Sequence, residues 1–191
     1  MWFNTTWIKT GSEAQAADTA AEWAELNYTD TVVATIQDRA VAIEELTTKI
    51  IADPDGTGEE LGRREDAAQP YSFATVAAGT VNGEQFGQIL LDVPGMPDGL
   101  TVGVAVPPFG TPTSLRDAGS ELTFGDFTNQ TEYQKVAVEL NNRAAEAVYS
   151  DLDPDSLQGK EVHVTGSFTW ASKTGGEIDH LVITPVIMEV K

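Results

Sequence analysis

The chain has 191 residues, 41% of them hydrophobic, and 30 acidic against 11 basic side chains give it a net charge of −19. Its length and apolar content suit one folded domain, or a domain with a helical annex. Its charge repels nucleic acid and anionic lipid headgroups, which counts against both as partners, and fits solubility or a saline medium. The chain has no cysteine, so disulfides, thiolate metal sites, Cys nucleophiles and a lipidated Cys are absent from these residues. No apolar run reaches the roughly eighteen residues of a membrane span.

The first residues, Met1 to Ile8, hold Trp2, Phe3 and Trp7. They read either as the end of a removed export or anchor segment or as a terminal stretch packed on its own domain. Gly11-Ser12 with Gln15 marks a helix start, and Val32, Val33, Ile36, Ile43, Leu46 and Ile50 follow at helical steps. Asp53-Pro54-Asp55-Gly56 reads as the stop. Residues 12 to 52 are thus expected to form two or three helices, too few to enclose a core alone. The acidic run from Asp53 resembles a calcium loop, but the position that should carry a bidentate Glu is Arg64, so it reads as a turn. The same holds for Asp151, Asp153 and Asp155 around Pro154.

Residues 57 to 70 look like a loop around Arg63 and Arg64, and strands follow. Tyr71 to Val81 leads to a hairpin at Asn82-Gly83, and Gln85 to Val93 returns with Phe86, Ile89 and Leu91 apolar. In Leu100 to Val106 the apolar residues alternate, and Pro107-Pro108 ends the strand. A loop carries Thr113 to Asp117, and Leu122 to Phe124 suggests a short strand. Tyr133, Val136, Ala137, Leu140 and Ala144 then share one helical face. Asn129 precedes Glu132 by three residues and, with Thr128 beside it, caps that helix, expected from Asn129 to Tyr149. Val162, Val164, Phe168 and Trp170 share a strand face, Lys173 to Asp179 is a turn, and His180 to Val190 is the last strand, with Pro185 at an edge or bulge.

After residue 70 the order is β-β-β-α-β-β, the order of the OB-fold. The expected fold is α+β: a five-stranded antiparallel OB-like barrel over residues 57–191, with a stub and helical annex over 1–56 packed on it. An antiparallel sandwich is the alternative, but it has no need of a long amphipathic helix between its third and fourth strands.

The sequence holds no catalytic constellation, metal motif or phosphate loop, and none calls for a cofactor. His163 and His180 lie in strands on either side of a turn and lack a third placed ligand. Two polar clusters remain, Arg116-Asp117 and Asp126, Asn129 and Gln130 at the mouth of the helix. They read either as a loop pin and a cap or as a site where amide, carboxylate and guanidinium groups hold a small polar ligand such as a sugar.

The segment FGDFTNQTEYQKVAVELNNRA, preceded by GTPTSLRDA and followed by GKEVHVTGSFTW and ITPVIMEV, resembles a family of predicted bacterial lipoproteins of unknown function. Members typically have an exported N-terminus and are often encoded beside sugar ABC transporters. The resemblance spans nearly the whole chain, with the Asp-Phe-Thr-Asn-Gln run its most specific part, and it carries over no catalytic residue. It implies an extracytoplasmic protein, membrane-anchored through an N-terminal segment, and favours reading Met1 to Ile8 as the stub of that segment. The chain departs from the family in lacking a lipobox Cys, so the export segment lies outside these residues or the anchor is uncleaved. The expected function is that of a non-enzymatic accessory or binding protein, with sugar ABC transporter components or a small polar ligand as partners. The alternative is a structural module docking on a transporter or envelope partner without a ligand.

Overall fold

The computed structural model describes residue 17 and residues 19–127, 129–171 and 177–191. The expectations for Met1 to Ile8, for the helix start at Gly11-Ser12, for Thr128 and for most of the turn after Lys173 lie outside these residues. Helix α1 (Ala20–Asn27) starts at Thr19, whose side chain accepts the Glu22 N–H. It runs through a π-helical turn, Tyr28–Val33, into α2 (Ala34–Arg39). Strand β1 (Val41–Ala42) and helix α3 (Ile43–Ala52) follow. α3 stops at Ala52, as expected from Asp53-Pro54, but the same residues also open a new helix: Asp53 accepts the Gly56 N–H at 3.0 Å, with Pro54 in the first turn of α4 (Pro54–Leu61). A proline at this point loses no hydrogen bond, because the first N–H groups of a helix have no internal partner. The expected loop after residue 57 is therefore helix up to Leu61, followed by β2 (Gly62–Arg63).

Five longer strands carry the sheet: β3 (Ser72–Glu84), β4 (Gln88–Asp92), β5 (Thr101–Ala105), β6 (Glu161–Thr169) and β7 (His180–Val190). Their pairings run β3-β4-β5-β7-β6 and return to β3, the partly open OB arrangement. β3 pairs with β6 from Ser72↔Thr169 to Thr80↔Glu161 and with β4 from Thr80↔Asp92 onward. The ring thus closes through one strand that changes partners. Gly79 sits at the change, where a Cβ would come within 2.6 Å of the Asp92 carbonyl oxygen. The expectation of a wholly antiparallel barrel is corrected at one seam, since β5 and β7 pair in parallel, Thr101↔His180 to Val104↔Ile183.

The Asn82-Gly83 hairpin is also corrected. β3 runs through these residues with a register shift between Val81 and Gly83, and the turn falls at Phe86-Gly87. Phe86 is therefore at the tip of the turn rather than on the apolar face of a strand. Gly166 faces Pro185 at a second register shift, which agrees with the bulge expected there.

Two apolar clusters form. One gathers inward residues of the sheet, among them Phe73, Val104, Val164 and Phe168, together with Ile43, Leu46 and Ile50 of α3. The Phe73 and Phe168 rings stack with centroids 5.7 Å apart. The other cluster joins Trp23, Tyr28, Val32 and Ile36 to Leu115, Val136, Leu140 and Ala144, over Ala74 and Val186 of the sheet. The N-terminal helices thus share both cores with the sheet and do not build one of their own.

The tightest seam is at Gly166, where an added Cβ would overlap the Thr184 carbonyl oxygen and come within 2.9 Å of Pro185 Cα. Gly166→Ala should therefore cost about 3 kcal/mol, the upper end for overpacking a core position, in urea unfolding of the purified chain. A loss under about 0.5 kcal/mol, the usual size of a surface effect, would show that the β6–β7 seam can yield.

Candidate functional site

The segment from Thr113 to Asp117, expected as loop, forms the start of helix α5 (Ser114–Gly119). It lies against α6 (Gln130–Tyr149). Arg116 is buried, with its side chain 7% exposed. Its Nε and Nη2 both donate to Asp117 Oδ1, at 2.8 and 2.7 Å, and its Nη1 donates to the Tyr133 carbonyl at 3.4 Å. Its Cζ sits 4.0 Å above the centre of the Tyr133 ring. A guanidinium held by a carboxylate, a carbonyl and an aromatic face has its charge compensated without water. Both bonds to Asp117 use the same oxygen, so Oδ2 has no hydrogen-bond partner among the described residues.

The mouth of α6 is built from caps. Asn129 Oδ1 accepts the Glu132 N–H at 3.0 Å. Asp126 Oδ2 accepts the N–H and hydroxyl of Thr123 at 2.7 and 2.9 Å, a reciprocal capping box around the 3-10 turn Phe124–Asp126. That turn replaces the short strand expected at Leu122 to Phe124. Glu132 accepts from Lys135 Nζ at 3.0 Å and from the Ala20 N–H at 3.1 Å, which ties α1 to α6. Both bonds favour the carboxylate, and the Lys135 bond is the first cause holding its pKa below the usual range.

Between these elements lies an open cleft of about 1080 Å³, walled by Glu65, Arg116, Asp117, Gln130, Tyr133 and Lys135 among others. Of the five residues singled out from sequence, the fold brings Arg116, Asp117 and Gln130 to this cleft. Asp126 and Asn129 lie off its wall, with their side-chain oxygens in the caps described. Gln130 is exposed.

Sequence reasoning missed two contributors. Tyr133 reads as one more apolar position on the α6 face, and only the fold shows it as the surface under Arg116. Glu65 gives no local signal; its Oε1 accepts the Phe124 N–H at 2.9 Å, which brings it to the cleft from the other side. Burial pushes the Tyr133 phenol well above its usual pKa, and the nearby Glu65 carboxylate adds to the rise. The phenol oxygen is buried without a hydrogen-bond partner among the described residues.

The histidines are not brought together. His163 stands opposite Glu189 in the β6–β7 register, whereas His180 lies beside Thr101 and Gln88. Among the described residues no group of three or more His, Asp or Glu side chains is placed to hold a metal.

The profile of the DUF2291 family, described as predicted periplasmic lipoprotein, matches residues 4–189. The chain belongs to this family. As a DUF2291 protein it is placed outside the cytoplasm at the membrane, in agreement with the resemblance drawn from the motifs. No helix among the described residues is long and apolar enough to cross a membrane. The fold is similar to a crystal structure of an OB-fold protein from Thermotoga maritima. The TM-score is 0.69 at 17% identity, over 93% of this chain and 100% of that one. That likeness confirms the OB assignment of the DUF2291 chain. No curated relative matches.

Burial also raises the phenols of Tyr28, to about 12, and of Tyr149, whose hydroxyl donates to the Ala105 carbonyl at 2.9 Å. With Tyr133, these groups hold their protons more tightly folded than unfolded. Stability is unaffected well below the ordinary phenol pKa of about 10 and falls as pH rises above it. Followed by ultraviolet absorbance, these phenols should ionise only as the chain unfolds in alkali. Full ionisation of all tyrosines near pH 10 in a chain that keeps its folded circular dichroism would show that they are solvated.

Proposed function

We propose that this DUF2291 chain is a non-enzymatic binding or accessory protein of the cell envelope, taking a small neutral polyhydroxylated molecule, a sugar or polyol, in the polar cleft. The observation that carries the reading is Asp117, pinned through Oδ1 by a buried Arg116 and bearing a second oxygen with no hydrogen-bond partner among the described residues. A carboxylate oxygen fixed in this way is a ready acceptor for ligand hydroxyls, and its orientation needs no ordering on binding.

Gln130 and Glu65 extend the set with an amide and a second carboxylate, and the exposed face of Phe124 offers an apolar surface for a ring. Carboxylates outnumber cations on the cleft, which disfavours phosphorylated or carboxylated ligands. Binding rather than turnover fits this set, because neither histidine lies on the cleft. On this reading the partners are the components of a sugar ABC transporter, to which a tethered carrier would present its ligand.

Calorimetric titration against pentoses, hexoses and polyols should find a ligand with an affinity in the micromolar to millimolar range. Asp117→Asn should weaken it about tenfold or more, since a charged acceptor is worth roughly 1.5–3 kcal/mol. Gln130→Ala should weaken it less. Absence of heat with every sugar and polyol, in a chain shown to be folded, would overturn the ligand reading. Capture of transporter components in the absence of any sugar would favour the docking module instead.

A further inference from the structure

A second cleft, on the other side of the segment from Thr111 to Ser114, has the opposite chemistry. It begins at the β3–β4 turn, where Gln85 N–H donates to the Gln88 carbonyl at 2.9 Å and Gln88 N–H donates back at 3.1 Å. Both residues between are left-handed, Phe86 at φ +53° and Gly87 at φ +72°. A two-residue turn of this kind favours Asn, Asp or Gly at its first position. An aromatic residue there is strained, and the Phe86 ring is also 90% exposed.

Phe86 instead lines a cleft of about 400 Å³, together with Pro107, Pro108 and Leu181. That volume lies in the range of small-molecule sites, roughly 300–1,000 Å³. In a chain with 21% charged residues, no Asp, Glu, Lys or Arg lines this cleft among the described residues.

Its polar groups are held in place. His180 Nδ1 lies 2.7 Å from the Thr101 hydroxyl, the shorter of that hydroxyl's two contacts, and Nε2 lies 2.6 Å from Gln88 Oε1. The Thr101 hydroxyl has one proton; given to Nδ1, the nearer acceptor, rather than to the Asp179 carbonyl at 3.0 Å, it leaves Nε2–H to donate to the Gln88 amide oxygen, and the Gln88 NH2 as a positioned donor with no protein partner among the described residues.

We propose that this cleft is a second binding site, for an uncharged flat-ring molecule that stacks on Phe86 and offers an acceptor oxygen to the Gln88 amide. Among the described residues an anion would find no Lys or Arg there, and an amine no carboxylate. The site does not depend on the polar cleft and can be tested without it. Coumarin, a neutral flat lactone, is a suitable probe, with coumarin-3-carboxylate as its anionic counterpart. Both are titrated into isotope-labelled protein and read at the backbone amides of Gly87, Gln88 and Leu181.

Coumarin should shift these amides saturably, and the carboxylate should bind at least about tenfold more weakly. Phe86→Asn should weaken coumarin about tenfold, by loss of the stacked ring, and at the same time raise the thermal midpoint by relieving the turn. Gln88→Met should weaken coumarin about tenfold through loss of the amide donor. A merely structural Phe86 would move the midpoint and leave the affinity alone. That result would overturn the site, as would no saturable shift with coumarin, or equal binding of the two probes.

Discussion

The structure depends on β3 meeting several partners at once. One edge of it runs along β6 from Ser72 to Thr80, while the other meets β2 at Ser72 and Phe73, β1 at Thr75 and Val76, and β4 from Thr80 on. A strand that changes partners must bend, and it does so where Gly79 admits the Asp92 carbonyl and where the register slips before Gly83. The short strands β1 and β2 cover the length of edge that β4 does not reach, which leaves fewer unpaired backbone groups there. Alternation along β3 then separates the two cores: Phe73, Ala77 and Val81 face the interior cluster, and Ala74 faces the helices. The small residue on the outer side lets helices pack close to the sheet, and the polar cleft is built on those helices.

The elements legible in the sequence are those whose local signals agree with the final packing. α6 has both a helical period and an N-cap, and it lies where those signals put it. α4 has neither a strong period nor good propensity, since Gly56 and Gly58 both disfavour helix. It forms because Asp53 caps it and because Gly58 lies against the Tyr71 ring, where any Cβ would collide. That second reason is tertiary and leaves no pattern in the chain. The Asn-Gly pair misleads for a related reason. It is the strongest short-range hairpin signal, yet the ladder with β4 places the turn four residues later, at Phe86-Gly87, and uses the pair within a bulge. α3 illustrates a third case: its apolar face is plain in the sequence, but that it packs with the interior of the sheet is not.

The polar cleft was half legible. Arg116 and Asp117 stand out because basic residues are few and the two are adjacent, and they do pair. Asp126, Asn129 and Gln130 stand out together because they are close in sequence, but closeness in sequence does not mean a shared wall. At a helix start successive side chains diverge around the axis, so Asp126 and Asn129 turn to backbone N–H groups while Gln130 reaches the cleft. Tyr133 was hidden by looking like core, which in part it is, being 4% exposed. An aromatic ring can serve as core on one side and as a platform for a cation on the other, and sequence does not separate these roles.

The two clefts share one wall. Along the segment after Gly110, Thr111 and Thr113 line the polar cleft while Pro112 and Ser114 line the neutral one, before α5 turns Arg116 and Asp117 back to the first. A wall one chain thick is useful to two sites only if it does not give way, and it is tied to both α6 and the sheet. Asn141 donates from Nδ2 to the carbonyls of Gly110 and Pro112, at 3.1 and 2.9 Å. Ser167 donates to the Ser114 hydroxyl at 3.0 Å from the sheet side. Asn141 Oδ1 is left buried without a partner among the described residues, a desolvation cost of about 1–3 kcal/mol. A smaller apolar residue at that position would avoid the cost but release both carbonyls. The wall therefore keeps an unsatisfied oxygen in exchange for a segment held from both sides.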